Sequence, residues 1–270
     1  IYFFAKQIQI IKKFFDIGYG FSKIIAILLI SYFVWLVGSL RIFPFSVATS
    51  WLIVFLLALV NFWLARKNRA EFLKQIKIHW KILLFEETIF FIALTLWSFV
   101  RGFQPNIQGL EKFMDYGFVN SILRSQYFPP ADMWLAGKTI NYYYFGHLVT
   151  AALTKLSGLD SAITYNLMIA TIFALSFTAS FSLGANLIFL NQNNKQGLLL
   201  RNWKLPVIAG MLTASLLTLG GNLHPLWYLI KHGNYGTYWY PDATRFIVQL
   251  FGAADNTIHE FPIYSFVVAD

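Results

Sequence analysis

The chain has 270 residues, of which 57% are apolar and only 12% are charged. Soluble globular domains carry about 25% charged residues, so this composition excludes an ordinary soluble domain and predicts a membrane protein. It also excludes a disordered chain, and the lack of cysteine excludes a disulfide scaffold. The net charge of +9 does not indicate nucleic-acid binding, because the basic residues lie beside apolar segments, where they orient helices in a membrane.

Long uncharged runs predict six membrane-spanning helices. About 20 helical residues cross a hydrocarbon core of about 30 Å. The predicted spans are residues 24–40, 47–65, 82–100, 141–159, 163–190 and 205–230, and a further span begins near Phe261. We therefore expect an all-α, polytopic transmembrane helix bundle. Residues 1–81 would form an N-terminal two-helix unit, and residues 82–270 a membrane core that is truncated at Asp270.

Clusters of lysine and arginine predict the sidedness of the bundle. Basic residues precede the first span (Lys6, Lys12, Lys13 and Lys23) and fill the second connection (Arg66, Lys67, Arg69, Lys74, Lys77 and Lys81). Both segments should be cytoplasmic, which puts residues 101–140 outside. Strict alternation also puts residues 191–204 outside, although that segment contains three basic residues and no acid. The run 161–194 is long enough to be tilted or partly re-entrant, which would change the side of all that follows.

The outer connection is predicted to contain an amphipathic helix at the interface. Apolar and small residues recur there at helical spacing: Leu110, Phe113, Met114, Gly117, Phe118, Ser121, Ile122 and Ser125. We expect Pro129 and Pro130 to end this helix. Glu111 and Asp115 are four residues apart, so both carboxylates project from one side. They could raise one another's pKa or hold a divalent cation, and either would suit a general base. The alternative is a solvated face with Lys112 and Arg124 as counter-charges.

Further polar and aromatic residues follow, namely Asp132, Lys138, Tyr142, Tyr143, Tyr144 and His147. Three consecutive tyrosines on a helix point in directions about 100° apart. We therefore expect at least one hydroxyl to face protein or a polar cavity. His147 could titrate near neutral pH or bind phosphate, and the alternative is a hydrogen-bonded packing histidine. Glu86 and Glu87 lie inside the third span, where we expect them to form a structural pair with lysine or arginine.

A motif at residues 111–147 resembles the signature of the YYY membrane protein family, which is named for its triple tyrosine: EKFMDYGFVNSILRSQYFPPADMWLAGKTINYYYFGH. Residues 259–270, HEFPIYSFVVAD, resemble a second signature of that family. The resemblance covers roughly residues 82–270. It departs at Phe113 and Met133, where proline is usual, and neither departure removes a polar group.

That family is similar to the GT-C superfamily of membrane glycosyltransferases, which includes enzymes that use polyprenyl-phosphate sugars. Those enzymes place an acidic catalytic base in the first large outer loop. The resemblance therefore implies a GT-C-like fold at the cell membrane, with Asp115 or Glu111 as base and as ligands of any divalent metal. It implies a substrate site formed by Arg124, Asp132, Lys138, Tyr142, Tyr143, Tyr144, His147, Arg245, His259 and Glu260. Membrane lipid and a polyprenyl-phosphate sugar would be the partners.

Two other functions remain open from the sequence. A transporter or flippase is favoured by the sixth span, which is interrupted by Gly220, Gly221, Asn222, His224 and Pro225, as in the broken helices of transporters. A noncatalytic assembly subunit would use the same polar residues for packing. Simple alternation also leaves Arg245, His259 and Glu260 cytoplasmic while Asp115 lies outside, so either a span is miscounted or the second motif is re-entrant.

Overall fold

The computed structural model describes residues 14–67, 69–108, 111–195, 203–220, 229–231 and 233. The chain divides into two compact units, Ile1–Leu219 and Gly220–Asp270, and nearly all described residues belong to the first. Apart from an isolated bridge between Ala131 and Thr139, the regular structure of the described part is helical. This confirms the predicted all-α class.

Seven α-helices follow one another in the described part. They are α1 (Ser22–Ser39), α2 (Val47–Lys67), α3 (Arg69–Gly102), α4 (Lys112–Arg124), α5 (Phe145–Ser157), α6 (Ser161–Lys195) and α7 (Lys204–Thr218), and the 3-10 turn Tyr19–Phe21 leads into α1. Four described segments are long and apolar enough to cross a membrane: Tyr19–Ser39, Val47–Lys67, Arg69–Gly102 and Ser161–Gln192. The chain is therefore built as a polytopic helix bundle.

The fourth predicted span, 141–159, is wrong. α5 has 13 residues, so it is about 20 Å long and too short for a hydrocarbon core of about 30 Å. With one crossing fewer, alternation predicts the cytoplasmic side for the connection between α6 and α7. Its basic residues, Lys195, Arg201 and Lys204, are then on the side where such residues are enriched.

α4 and α5 pack against one end of α1 and α2. A buried cluster there joins Val34 of α1 and Ile53 of α2 to Ile122 of α4 and Leu148 of α5. Phe45, from the connection between α1 and α2, belongs to the same cluster. We call this end of the bundle the outer end, because the basic segments before α1 and between α2 and α3 predict that the opposite end faces the cytoplasm.

A second packing centre joins α3, α6 and α7. Phe181 of α6 is fully buried among Ile89 of α3 and Ala214 of α7. Gly210 lets α7 approach α6 closely, because a Cβ at that position would lie 2.7 Å from the backbone oxygen of Phe181. α6 thus reaches from its N-terminus beside α5 at the outer end to this centre, and it links the two ends of the first unit.

Candidate functional site

α4 and α5 bring Asp115 and His147 together at the outer end. His147 Nε2 lies 3.1 Å from Asp115 Oδ1, although the two residues are 32 positions apart in the chain. The edge of the Phe118 ring packs against the imidazole, with centroids 5.3 Å apart, and the Tyr143 ring stacks on it at 6.2 Å. The imidazole is therefore held in place by aromatic rings while it contacts the carboxylate.

The two members of this pair differ in their access to solvent. The Asp115 side chain is 33% exposed and the His147 side chain 14% exposed. His147 Nδ1 is buried without a hydrogen-bond partner among the described residues. The carboxylate of Asp115 is therefore partly open to solvent, while His147 contacts it from the protein side.

The sequence analysis placed Glu111 within the amphipathic helix. In the structure it lies at the N-terminal cap of α4. It is the residue before Lys112, its side chain is exposed, and its carbonyl accepts the N–H of Asp115 at 2.9 Å. An acidic residue at this position also interacts favourably with the helix dipole. Its carboxylate and that of Asp115 still share a neighbour, because both charges act on the hydroxyl of Tyr143.

The three tyrosines precede α5 in a non-helical segment. The prediction that they lie on a helix and point about 100° apart is therefore wrong. The rings of Tyr142 and Tyr143 lie 3.8 Å apart and both are more than half exposed. The hydrogen bond with Tyr142, followed by burial and the nearby charges, raises the pKa of Tyr143 to about 12. The hydroxyl of Tyr144 turns inward and accepts the indole N–H of Trp35 at 2.9 Å. The hydroxyl of Tyr144 therefore faces protein, as expected, but it does so from a non-helical segment.

Asp132 holds a turn. Its Oδ1 accepts the backbone N–H groups of Trp134 at 2.8 Å and of Leu135 at 3.0 Å. These hydrogen bonds, that of Leu135 first, lower the pKa of the Asp132 carboxyl. Lys138 is exposed in the same turn. Arg124 is exposed at the far end of α4, nine residues or about 14 Å from Asp115. The structure therefore does not pair either cation with Asp115.

A polar network that the sequence analysis missed ties α4 to the start of α6. The Tyr116 hydroxyl lies 2.9 Å from Ser161 Oγ, and Ser161 donates to Asn120 Oδ1 at 3.0 Å. Because Tyr116 follows Asp115 directly, this network fixes the rotation of α4 that turns Asp115 toward His147. Its partners are more than 40 positions apart, so no local spacing pattern could have revealed it.

Arg101 is a second residue that the sequence analysis missed. It lies near the end of α3, where it donates to Asn166 Oδ1 at 2.7 Å and to the backbone oxygens of Gln104 and Asn106. A cleft of about 210 Å³ opens beside it between α3 and α6. Arg101 thus joins the outer ends of these two helices and presents a cation there.

A metal centre does not fit the described part of the chain. No group of three or more His, Cys, Asp or Glu side chains that could hold an ion occurs among the residues described. Asp115 and His147 supply two ligands, and Glu111 is exposed at the cap of α4. Three predicted site residues, Arg245, His259 and Glu260, lie outside the described residues, as do Gly221, Asn222, His224 and Pro225 of the interrupted span.

The four long apolar helices define a multi-pass integral membrane protein with a half-exposed carboxylate at one end of its bundle. A family model described as an uncharacterized membrane protein (DUF2298) matches residues 29–270, and the chain belongs to this family. The matched segment includes α4, α5 and the three tyrosines. No curated protein and no solved structure matches the chain.

Proposed function

We propose that this protein is a glycosyltransferase of the cell membrane, which transfers a sugar from a polyprenyl-phosphate donor to an acceptor hydroxyl at the outer face. The observation that carries the proposal is the contact between Asp115 and His147 at the outer end. A general base must be close enough to the proton that it removes and oriented by a supporting group. Asp115 is accessible, and His147 orients it.

In the proposed reaction, Asp115 removes the proton from the acceptor hydroxyl as the oxygen attacks the anomeric carbon of the sugar. The bond between that carbon and the phosphate oxygen breaks, and polyprenyl phosphate leaves with the electron pair. The anomeric configuration is inverted. General-base assistance contributes about 10²- to 10⁴-fold, so the remaining acceleration must come from orienting the substrates and stabilising the phosphate.

The exposed pair of rings, Tyr142 and Tyr143, supports this proposal. Amphipathic aromatic side chains favour the boundary between lipid and water, where the sugar of a lipid-linked donor lies. The two rings lie on the accessible side of the Asp115 and His147 pair, since Tyr143 stacks on the imidazole. Lys138, exposed in the same connection, is the cation that we propose for the donor phosphate, since Arg124 lies about 14 Å along α4 from Asp115.

Replacing Asp115 by asparagine tests the proposal. Asp115→Asn keeps the size of the side chain but removes the base, so we expect sugar transfer in membranes to fall by about 10²- to 10⁴-fold while expression is unchanged. Asp132→Asn is the matched control, because Asp132 holds a turn in the same connection. Wild-type transfer by Asp115→Asn would refute the base assignment.

Two further results would replace the proposal by one of its alternatives. Uptake of a substrate into sealed vesicles without covalent change would establish a transporter. An assembly subunit predicts that Asp115→Ala lowers the yield of protein or complex while turnover per assembled molecule stays constant.

A further inference from the structure

Two carboxyl groups are buried together near the inner end of α1 and the middle of α3, far from Asp115. Asp16 precedes the turn that leads into α1, and Glu86 lies on α3, 16 residues or about 24 Å before its outer end. Both residues have 0% of their surface exposed. Ionisable groups inside a membrane protein are costly and usually functional.

The carboxyl oxygens of Asp16 accept four hydrogen bonds. Its Oδ1 accepts the N–H of Gly18 at 3.0 Å and the amide of Asn186 at 2.9 Å. Its Oδ2 accepts the N–H of Gly20 at 3.3 Å and the hydroxyl of Ser182 at 2.5 Å. The contact from Gly20 is long, so Asp16 keeps acceptor capacity for one further donor.

Glu86 has the opposite environment. Both of its oxygens are buried, and neither meets a hydrogen-bond donor among the described residues. The charged and titratable groups that interact with it electrostatically are Asp16, Tyr19, Lys23 and Glu87. The positive charge of Lys23 is already paired, because its Nζ lies 2.5 Å from Glu87 Oε2, which also accepts the Tyr19 hydroxyl at 2.7 Å. An ionised Glu86 would therefore be a buried charge without a donor or a counter-ion of its own in the described part of the chain.

We propose that Glu86 is a proton-binding site, in which the protonated Glu86 carboxyl donates a hydrogen bond to the carboxylate of Asp16. One bound proton supplies the missing donor between two groups that would otherwise both be acceptors. Like-charged carboxylates that share a site hold a proton for the same reason. A metal ion would need several oxygen ligands, and no group of three or more His, Cys, Asp or Glu side chains that could hold one occurs among the described residues.

The hydrogen bond made by this proton stabilises the packing of the segment before α1 against α3 and α6. Besides Asp16, that segment contributes the N–H of Phe15, which donates to Asn186 Oδ1 at 2.6 Å, and the Phe15 carbonyl, which lies 3.0 Å from the His79 ring. Removing the proton would leave two like charges face to face at the centre of this junction. We therefore expect the segment to loosen when the pair loses its proton.

Infrared spectroscopy of the full chain in liposomes tests the proposal, because a protonated carboxyl has a C=O band that a carboxylate lacks. With ¹³C-labelled glutamate, we expect a protonated band at neutral pH that disappears in alkaline solution. Glu86→Gln should lose this band. The matched control is Glu87→Gln, at the next position of α3, which should retain it. A spectrum without a labelled protonated band at neutral pH, or a band that survives Glu86→Gln, would overturn the proposal.

Thermal unfolding gives a second measurement. The glutamine amide introduced by Glu86→Gln can donate to Asp16 at any pH, so this variant should keep its neutral-pH unfolding temperature in alkaline solution, where the wild-type protein loses stability. Stabilisation of the wild type by sodium over choline, absent from Glu86→Gln, would show a metal cation in place of the proton. If Glu86→Gln does not fold, the labelled wild-type titration alone decides, because the band either is present at neutral pH or is not.

Discussion

Replacing His147 by phenylalanine separates the support of Asp115 from the packing around it. Phenylalanine keeps a ring between Phe118 and Tyr143 but removes the nitrogen that contacts Asp115 at 3.1 Å. The second ring nitrogen has no partner in the described part, so its loss breaks no further bond. The variant therefore tests one interaction.

The expected effect follows from the exposure of Asp115. Hydrogen bonds to charged groups contribute about 1.5–3 kcal/mol, and a carboxylate that is 33% exposed can exchange part of this interaction for water. We therefore take the lower end, about 1.5 kcal/mol, which corresponds to roughly a tenfold loss of rate. If His147 only orients the base, kcat should fall about tenfold while KM stays nearly constant.

The assay is the initial rate of sugar transfer from a polyprenyl-phosphate donor in proteoliposomes, measured over a range of donor concentrations. A double-mutant cycle gives the sharper result. If His147 acts through Asp115, adding His147→Phe to Asp115→Asn should cause no further loss, because the two effects are coupled. Independent, multiplicative losses, or wild-type kcat in His147→Phe alone, would refute the reasoning.

Two further predictions concern the bundle itself. The chain has no native cysteine, so Lys204→Cys should react with a membrane-impermeant thiol reagent only from the cytoplasmic side. Labelling from outside in sealed cells would show that the segment 141–159 crosses the membrane after all. Gly210→Val should lower stability to unfolding by about 1–3 kcal/mol through overpacking against Phe181, whereas Gly146→Val, where a Cβ has open space, should not show this clash; equal losses in thermal unfolding would contradict the proposed contact.

Hydropathy predicted the lipid-facing helices well because their surfaces are apolar on nearly all sides. The predicted spans 24–40 and 47–65 end within two residues of α1 and α2. α3, however, begins 13 residues before the predicted 82. Its first turns carry lysines, which end a hydropathy run but do not end a helix. Hydropathy therefore locates the part of a helix that lies in lipid and not the helix itself.

The same reasoning explains the wrong span at α5. An uncharged run meets the length criterion for a span whether or not it is helical, and here residues 141–144 are not. α5 also carries His147, Thr150 and Thr154 on its buried side, within reach of hydrogen-bond partners. Its polar face packs on protein and its 13 residues stay at one end of the bundle. The charges of the connection after α6 gave the independent sign that a crossing had been counted in excess.

The candidate site was predictable as a set of residues but not as a set of contacts. Asp115 and His147 were both recognised from the motif, yet only the packing of α4 on α5 shows that they are partners. Glu87 met the expected lysine, Lys23. Glu86, the preceding residue, forms no such pair among the described residues, because adjacent positions of a helix point about 100° apart. Asp16 gave no signal, since a single acid among basic residues next to a span is indistinguishable from a surface residue.

Asp115 and Glu86 differ in their exposure to solvent and in their hydrogen-bond partners, and we therefore propose different roles for them. At the outer end, the Asp115 side chain is 33% exposed and has a nitrogen partner, so in the proposed reaction it is accessible to the acceptor hydroxyl. In the interior of the bundle, Glu86 is closed off from solvent and meets no donor among the described residues, and these are the observations from which we propose that it holds a proton. A group that already holds its proton cannot serve as a general base. The catalytic proposal therefore depends on Asp115 alone, and the loss of either function should leave the other measurable.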